Sequence, residues 1–246
     1  MTGADFAPYL GVFLIGLSKA GFATGLGMLT TPLLATAIPA REAIGVVLPL
    51  LVASDLITLA LFRKSWRFPL IRWPLVGACG GIGLGMFFVN TLPDAWLKLS
   101  IGCIGLFLTT ALVVRNVWYP AGMWRPSPWE GGGVGAVAGF VSTLAHAAGP
   151  IMALFFIAQK MDKAVFVASN GLFFTLNNLL KLPPYVMSDI INAQTLRQDL
   201  RYLPMIPLGV VTGWLMNRWL PQKHFNGLVY VLLFFTSVEL IATNWP

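Results

Sequence analysis

Residues 16–34, "GLSKAGFATGLGMLTTPLL", lie within a long apolar segment and contain one charge. That charge is Lys19, the only one between Asp5 and Arg41. Four glycines flank it, at positions 16, 21, 25 and 27, and Pro32 follows. Because glycine and proline both weaken helices, the stretch predicts a helix that is interrupted beside a buried cation.

The rest of the chain is equally apolar. Of its 246 residues, 57% are hydrophobic and only 10% are charged, which is too little polar surface for a soluble domain of this size. A bilayer crossing takes roughly 20 apolar residues. Scanning with that window gives eight segments, at 6–38, 43–62, 73–92, 95–114, 132–158, 164–187, 200–220 and 225–243. We therefore expect an all-α, polytopic membrane protein whose surroundings are the lipid bilayer.

The net charge of +7 is spread along the connections between these segments. A nucleic-acid-binding protein gathers its cations into one patch, so no nucleic acid partner is expected. Cys79 and Cys103 occur singly, without the spacing of a metal site, and no Walker-type motif is present. We expect neither a metal nor a cofactor, and interpret the basic residues as signals of membrane topology.

The segments fall into two repeats. Residues 38–65 have the same layout as residues 159–186, with Ala43 falling on Ala164. The repeats are assigned to residues 1–118 and 131–246, and a linker rich in Pro and Trp occupies 119–130. This alignment sets the opening stretch opposite "GFVSTLAHAAGPIMALFF" at 139–156, which is also rich in glycine and interrupted by proline. Paired interruptions at matching positions of two halves indicate the binding site of a transporter.

Two topologies fit the eight segments. If all of them cross the bilayer, the repeats are parallel and Lys and Arg divide about nine to six between the two sides. If segments 1 and 5 are re-entrant hairpins, the repeats are inverted and the division becomes about ten to five. Since cytoplasmic connections carry the excess of Lys and Arg, inverted repeats with broken or re-entrant segments 1 and 5 are favoured slightly.

Ionisable residues inside apolar segments each cost on the order of 2.5 kcal/mol or more, so a functional or paired role is expected for them. Four are identified within the segments: Lys19, Asp55, His146 and Glu239. Glu239 lies close enough to the C-terminal end to reach the headgroups. The other three are candidates for function.

The first break offers an anion-binding site around Lys19. A half-helix beginning near Met28 would direct free N–H groups and the positive end of its dipole toward the break, and anions bind at such helix ends. The substrate-binding residues predicted here are Ser18, Lys19, Thr24, Gly25 and Gly27. The alternative is that Lys19 pairs with Asp55 of segment 2. If substrate breaks that pair, Asp55 becomes a gate or a proton acceptor.

The second break supplies hydroxyls, backbone donors and an imidazole. Pro150 is placed to begin a new half-helix, because its missing N–H is not needed there. The residues predicted to bind substrate are Ser142, Thr143, His146 and Gly149. His146 is also a candidate for proton coupling near neutral pH, and its alternative role is packing.

Segment 6 contributes amides. Asn170 and Asn177 lie on one helical face and could donate to an anion without adding charge. Interhelical hydrogen bonding is the alternative for both and for Asn178. Glycines recur every fourth residue at 77, 81 and 85 and again at 131, 135 and 139. These ridges predict close helix packing and would permit a homodimer.

This layout resembles the sulfite exporter TauE/SafE family of bacterial membrane transporters. The resemblance rests on the Gly-rich broken first segment ending in Pro32-Leu33-Leu34, the "IPAREAIG" turn at 38–45 and the basic "FRKSWRFP" connection at 62–69. It implies a multi-pass protein of the bacterial inner membrane, a probable exporter of a small anion such as sulfite or an organosulfonate. This sequence reads "ATGLGML" where members of the family carry a Gly-Gly-Gly-like run.

Other functions remain as alternatives. The first alternative is a transporter of another small anion or of a cation or metal. Few acidic, His or Cys residues lie within the membrane segments to bind a cation. An intramembrane enzyme using His146 and Asp55 as acid and base is a second, but it would need a nucleophile within hydrogen-bond reach. No catalytic residue is assigned, and we expect the protein not to be an enzyme.

Overall fold

The computed structural model describes residues 3–19, 27–61, 65–118, 127–159, 161–219 and 222–245. These residues form eleven helices and no strand. The helices of the first half are α1 (Gly3–Lys19), α2 (Gly27–Ala37), α3 (Ala40–Leu61), α4 (Phe68–Thr91) and α5 (Asp94–Trp118). Those of the second half are α6 (Pro128–Ala145), α7 (Gly149–Ala158), α8 (Lys163–Met187), α9 (Ala193–Tyr202), α10 (Met205–Trp219) and α11 (Gln222–Asn244).

Among the described residues, Phe68–Thr91 and Asp94–Val114 are long and apolar enough to cross a membrane. The all-helical expectation is confirmed.

The first apolar segment is divided between α1 and α2, and residues 20–26 between them lie outside the described residues. Gly11 of α1 lies directly against Leu34, near the far end of α2. The Thr30 hydroxyl donates to the Gly11 carbonyl at 3.5 Å. These contacts pack α1 and α2 side by side as an antiparallel pair.

The fifth apolar segment, which is the second of the two broken segments, breaks where the sequence predicts. Helix α6 starts with a capping box between Ser127 and Glu130 and ends at His146, which has left-handed backbone geometry with φ 53°. Helix α7 begins at Gly149, one residue before the predicted Pro150. Gly131, near the start of α6, faces Phe155, near the end of α7. Helices α6 and α7 therefore also pack antiparallel.

The two glycine ridges pack against each other. A side chain on Gly81 would collide with the backbone of Ala136, and one on Gly139 would meet the backbone of Ala78. Gly77 against Gly132 and Gly135 against Pro74 continue the contact along α4 and α6. Close packing is confirmed as the role of these glycines. Because the ridges cover each other within the chain, a homodimer would have to use another surface.

Helices of the two halves pack in a reciprocal pattern. Helix α1 packs on α10, and α4 packs on α6, so that each broken segment meets the third segment of the opposite half. Gly16 against the Ile206 carbonyl and Gly209 against the Phe13 carbonyl bring α1 and α10 close together. Helices α3 and α8 contact each other, as do α5 and α11. The largest cluster of buried apolar side chains runs through both halves.

Helix α9 is an element that the hydropathy scan did not identify. The scan began segment 7 at residue 200, whereas the structure has the polar helix α9 before α10. Asn192 and Thr195 form its capping box. Its buried residues are Thr195 and Asp199, while three leucines on a neighbouring face are exposed: Leu196, Leu200 and Leu203. This arrangement is typical of a helix lying at a membrane interface with its apolar face toward lipid.

Candidate functional site

A buried lysine lies where α6 ends. The Lys181 side chain of α8 is 0% exposed. Its Nζ donates to the Ser142 hydroxyl oxygen at 2.8 Å and to the Ser142 carbonyl at 3.2 Å. Asn177 Nδ2 donates to the same hydroxyl oxygen at 2.9 Å. A cation and an amide thus converge on one serine at the break.

One face of α8 supplies all of these contacts. Asn177, Lys181 and Tyr185 follow each other at intervals of four residues and so lie in a row. Tyr185 completes the row by donating its hydroxyl to the Thr143 carbonyl at 2.6 Å. The last carbonyls of a helix lack intrahelical partners and carry its negative dipole end. Tyr185 supplies a donor to the Thr143 carbonyl, and Lys181 adds a second donor to the Ser142 carbonyl, which also accepts from the His146 backbone N–H at 3.1 Å. These bonds join α8 to the end of α6.

His146 connects the two broken segments. Its Nδ1 lies 3.3 Å from the Thr31 hydroxyl of α2. Its Nε2 is buried and has no hydrogen-bond partner among the described residues, and its ring meets that of Tyr185 edge-on at a centroid distance of 6.4 Å. The two broken segments therefore contact each other at Thr31 and His146. A buried ring nitrogen without a partner is available to a ligand.

Asp55 of α3 is the acidic member of the site. It is buried, and Asn178 donates to its Oδ2 at 2.7 Å across the interface between α3 and α8. Its charge also attracts the Lys181 ammonium electrostatically. A buried cation and a buried carboxylate therefore lie within each other's field, on two helices that pack together.

The structure brings together four of the predicted binding residues: Ser142, Thr143, His146 and Asn177. Gly149 follows at the start of α7. Asn170 lies about two turns before Asn177, and its Oδ1 is buried with no hydrogen-bond partner in the described ranges. Ser18 and Lys19 end α1 and Gly27 begins α2, while Thr24 and Gly25 lie outside the described residues. The side chain of Lys19, and with it the predicted pair between Lys19 and Asp55, also falls outside them.

Lys181 was missed by the sequence analysis, which counted its charge with the connection at 181–201. The predicted segment 164–187 nevertheless contains Lys181, and the structure ends α8 at Met187, so Lys181 lies about a turn and a half inside the helix. The signal was present: a lysine four residues after Asn177 shares its helical face, and a lysine within an apolar segment is costly unless it has a role.

The site is rich in donors and poor in metal ligands. Lys181, Ser142, Thr31 and the amide of Asn177 can all donate hydrogen bonds, and the N-terminus of α7 begins three residues after His146. Helix N-termini and ammonium groups both favour anions. Within the described ranges, no three His, Cys, Asp or Glu side chains gather as a metal site would require. The chemistry suits a small anion better than a cation.

Comparison with known proteins agrees with this reading. No curated protein and no solved structure matches the chain. A model of the family described as sulfite exporter TauE/SafE matches residues 9–240, nearly the whole chain. The matched range includes both broken segments and the face of α8 that contacts the end of α6. The chain therefore belongs to the sulfite exporter TauE/SafE family of membrane transporters.

Proposed function

We propose that this protein exports a small sulfur-containing anion, such as sulfite or an organosulfonate, across the bacterial inner membrane. The observation that carries the proposal is the buried Lys181 ammonium, which donates to the Ser142 hydroxyl oxygen near the break in the second broken segment. Charge-assisted hydrogen bonds from an ammonium to an oxyanion are about twice as strong as neutral ones. Asn177, Thr31 and His146 would add neutral donors around the same anion.

The proposed architecture is a pair of inverted repeats. Two antiparallel pairs, α1 with α2 and α6 with α7, support re-entrant hairpins that enter from opposite sides and meet at Thr31 and His146. The reciprocal packing of α1 on α10 and α4 on α6 is the pattern expected of two units related by a pseudo-twofold axis. In this arrangement the site would lie where the two hairpins contact each other, near the bilayer midplane.

The driving force follows from the charge of the substrate. An inside-negative potential favours outward movement of an anion by about 2.3 kcal/mol per charge per 100 mV. An exporter of this kind needs no obligatory ion gradient. It does need to compensate Lys181 when the site is empty, because an unpaired buried charge is costly. Ser142 and the nearby Asp55 supply that compensation.

Transport in reconstituted vesicles tests the proposal. We would load vesicles containing the purified protein with sulfite, taurine or a divalent metal, impose a membrane potential, and measure efflux of each. Sulfite should leave with a rate that depends on the potential, whereas taurine, a zwitterion without net charge, should not show this dependence. Lys181→Met should abolish the efflux of sulfite. Lys98→Met, at a surface lysine that pairs with Asp94, is the matched control. Movement of the metal and of no anion would overturn the proposal.

A further inference from the structure

Helix α9 turns a carboxylate toward the protein and its leucines away from it. Asp199 is only 7% exposed, whereas Leu200, the next residue, is 70% exposed. In a soluble protein the opposite orientation would be favoured, since burying the leucines removes apolar surface from water. At a membrane interface the leucines face lipid. Asp199 is then forced against α1 and α3, which are the helices that α9 packs on.

The Asp199 carboxyl is buried and makes no hydrogen bond to the part of the chain that the structure describes. Neither of its oxygens has a partner among the described residues. Asp199 interacts electrostatically with Tyr202 of α9. The same Tyr202 also interacts with Tyr9 of α1, Glu42 of α3 and Arg201 of α9. Arg41, the basic residue at the start of α3, donates to Asn90 at 3.1 Å. A carboxylate in such a place is penalised by desolvation, whereas the neutral acid is not.

Two contacts hold α9 in its docked position. Gln198 Nε2 donates to Glu42 Oε1 at 2.5 Å, joining α9 to α3. The rings of Tyr202 and Tyr9 meet edge-on at 4.9 Å, joining α9 to α1. Both contacts lie within a turn of Asp199 along α9. Any outward movement that hydrates the carboxylate breaks them.

We propose that Asp199 is a proton-binding site, and that the bound proton fastens α9 to α1 and α3. With the proton bound, the neutral acid is compatible with burial and α9 stays docked. When the proton leaves, the carboxylate draws water, and α9 moves outward toward the headgroups. Helix α1 is the first helix of the first broken segment. Release of α9 therefore removes one of the helices that pack against that segment.

The direction of the pH effect follows from burial. Burial raises the pKa of Asp199 from about 3.8 to about 7 in the docked state. A carboxyl with a raised pKa stabilises the docked state at low pH, and that stabilisation is lost as the pH rises through about 7. Between pH 6 and pH 8 the ratio of released to docked helix should therefore increase about tenfold.

Hydrogen exchange of the full-length protein in lipid nanodiscs measures the release. We expect the protection of amides in residues 193–202 to fall about tenfold from pH 6 to pH 8, relative to the same peptides in Asp199→Asn at each pH. The asparagine variant keeps the shape and cannot ionise, so the comparison cancels the intrinsic pH dependence of exchange. Asp189→Asn, at an exposed aspartate in the same connection, should behave like the wild type.

Infrared spectroscopy provides a second readout that does not depend on helix motion. A band of a protonated carboxyl should disappear between pH 6 and pH 8 in the wild type and be absent from Asp199→Asn at both values. If exchange of α9 is the same in the wild type and Asp199→Asn at every pH, or if the band is missing at pH 6, the proposal is wrong. Neither readout involves transport, so the result is independent of the function proposed above.

Discussion

The ammonium of Lys181 lies 2.8 Å from the hydroxyl oxygen of Ser142, at the point where α6 ends and the chain turns into α7. The serine oxygen also accepts a bond from Asn177. A small anion has oxygens that can replace the serine as acceptor for both donors. Substrate would thus enter by exchanging one set of acceptors for another, without leaving the lysine unpaired at any stage.

Replacing Lys181 by methionine should weaken anion binding. A hydrogen bond from a charged donor contributes about 1.5–3 kcal/mol, so affinity should fall roughly 10- to 100-fold. Lys181→Arg should also bind poorly, because the planar guanidinium cannot replace a compact ammonium in a filled site. Calorimetric titration with sulfite would measure both, with Lys98→Met as the control. Equal affinity in well-folded Lys181→Met would reduce Lys181 to a cap of α6.

Asp55→Asn should bind the anion more tightly and transport it more slowly. Removing the carboxylate removes a competitor for the Lys181 ammonium, and it leaves the empty site without its compensating charge. The amide can still pair with Asn178 after rotation, which keeps the contact between α3 and α8. Titration and vesicle efflux on the same preparation would test this. If neither the affinity nor the transport rate changes, Asp55 and the anion do not compete for Lys181. Asp189→Asn is the control for the loss of a carboxylate outside the site.

Thr31→Val should impair transport with little loss of stability. Valine has nearly the shape of threonine and removes the hydroxyl that meets His146, the bond that joins the two broken segments. Thr175→Val is the matched control, since that buried hydroxyl donates only to Gly171 of its own helix. Efflux rate and melting temperature should be measured together. Full transport by Thr31→Val would mean that the contact is incidental.

Gly81→Ala should destabilise the protein, whereas Gly83→Ala should not. A Cβ at Gly81 would collide with the backbone of Ala136, and no atom lies within 4 Å of one at Gly83. Overpacking of a tight contact costs typically about 1–3 kcal/mol, while alanine in an open helical position is favoured over glycine by about 1 kcal/mol. Thermal unfolding in detergent would compare the two. A similar loss of stability in both would contradict the close packing of α4 and α6.

The sequence was sufficient for features that depend on composition and spacing. The ridge of Gly77 and Gly81 predicted a close helix contact, because only packing explains glycine at every fourth position. The break around His146 was predictable from Gly149 and Pro150, whose backbone preferences are local. Such signals do not depend on which distant helix is the neighbour.

Features that depend on tertiary contact were not predictable in the same way. Lys181 was counted with the connection that follows segment 6, and only its bonds to Ser142 show that its side chain is buried against the end of α6. The partner that the structure gives Asp55 is Asn178, in a helix 123 residues away in sequence. Helix α9 was missed because a ten-residue helix with an inward aspartate has no apolar run for a hydropathy window to find.

The glycine contacts constrain how the chain can change shape. Where Gly16 meets Ile206 and Gly135 meets Pro74, backbones touch without an intervening side chain, so neither pair can slide without losing its fit. The first broken segment is thereby joined to α10, and the second to α4, each a helix from the opposite half of the sequence. If the protein opens alternately to either side, one rigid body should contain the first broken segment and α10, and the other should contain the second broken segment and α4. The moving bodies would then not be the two sequence repeats. A hinge should accordingly be sought at the helix ends around Pro93 and Ser127, where the chain passes from one group to the other.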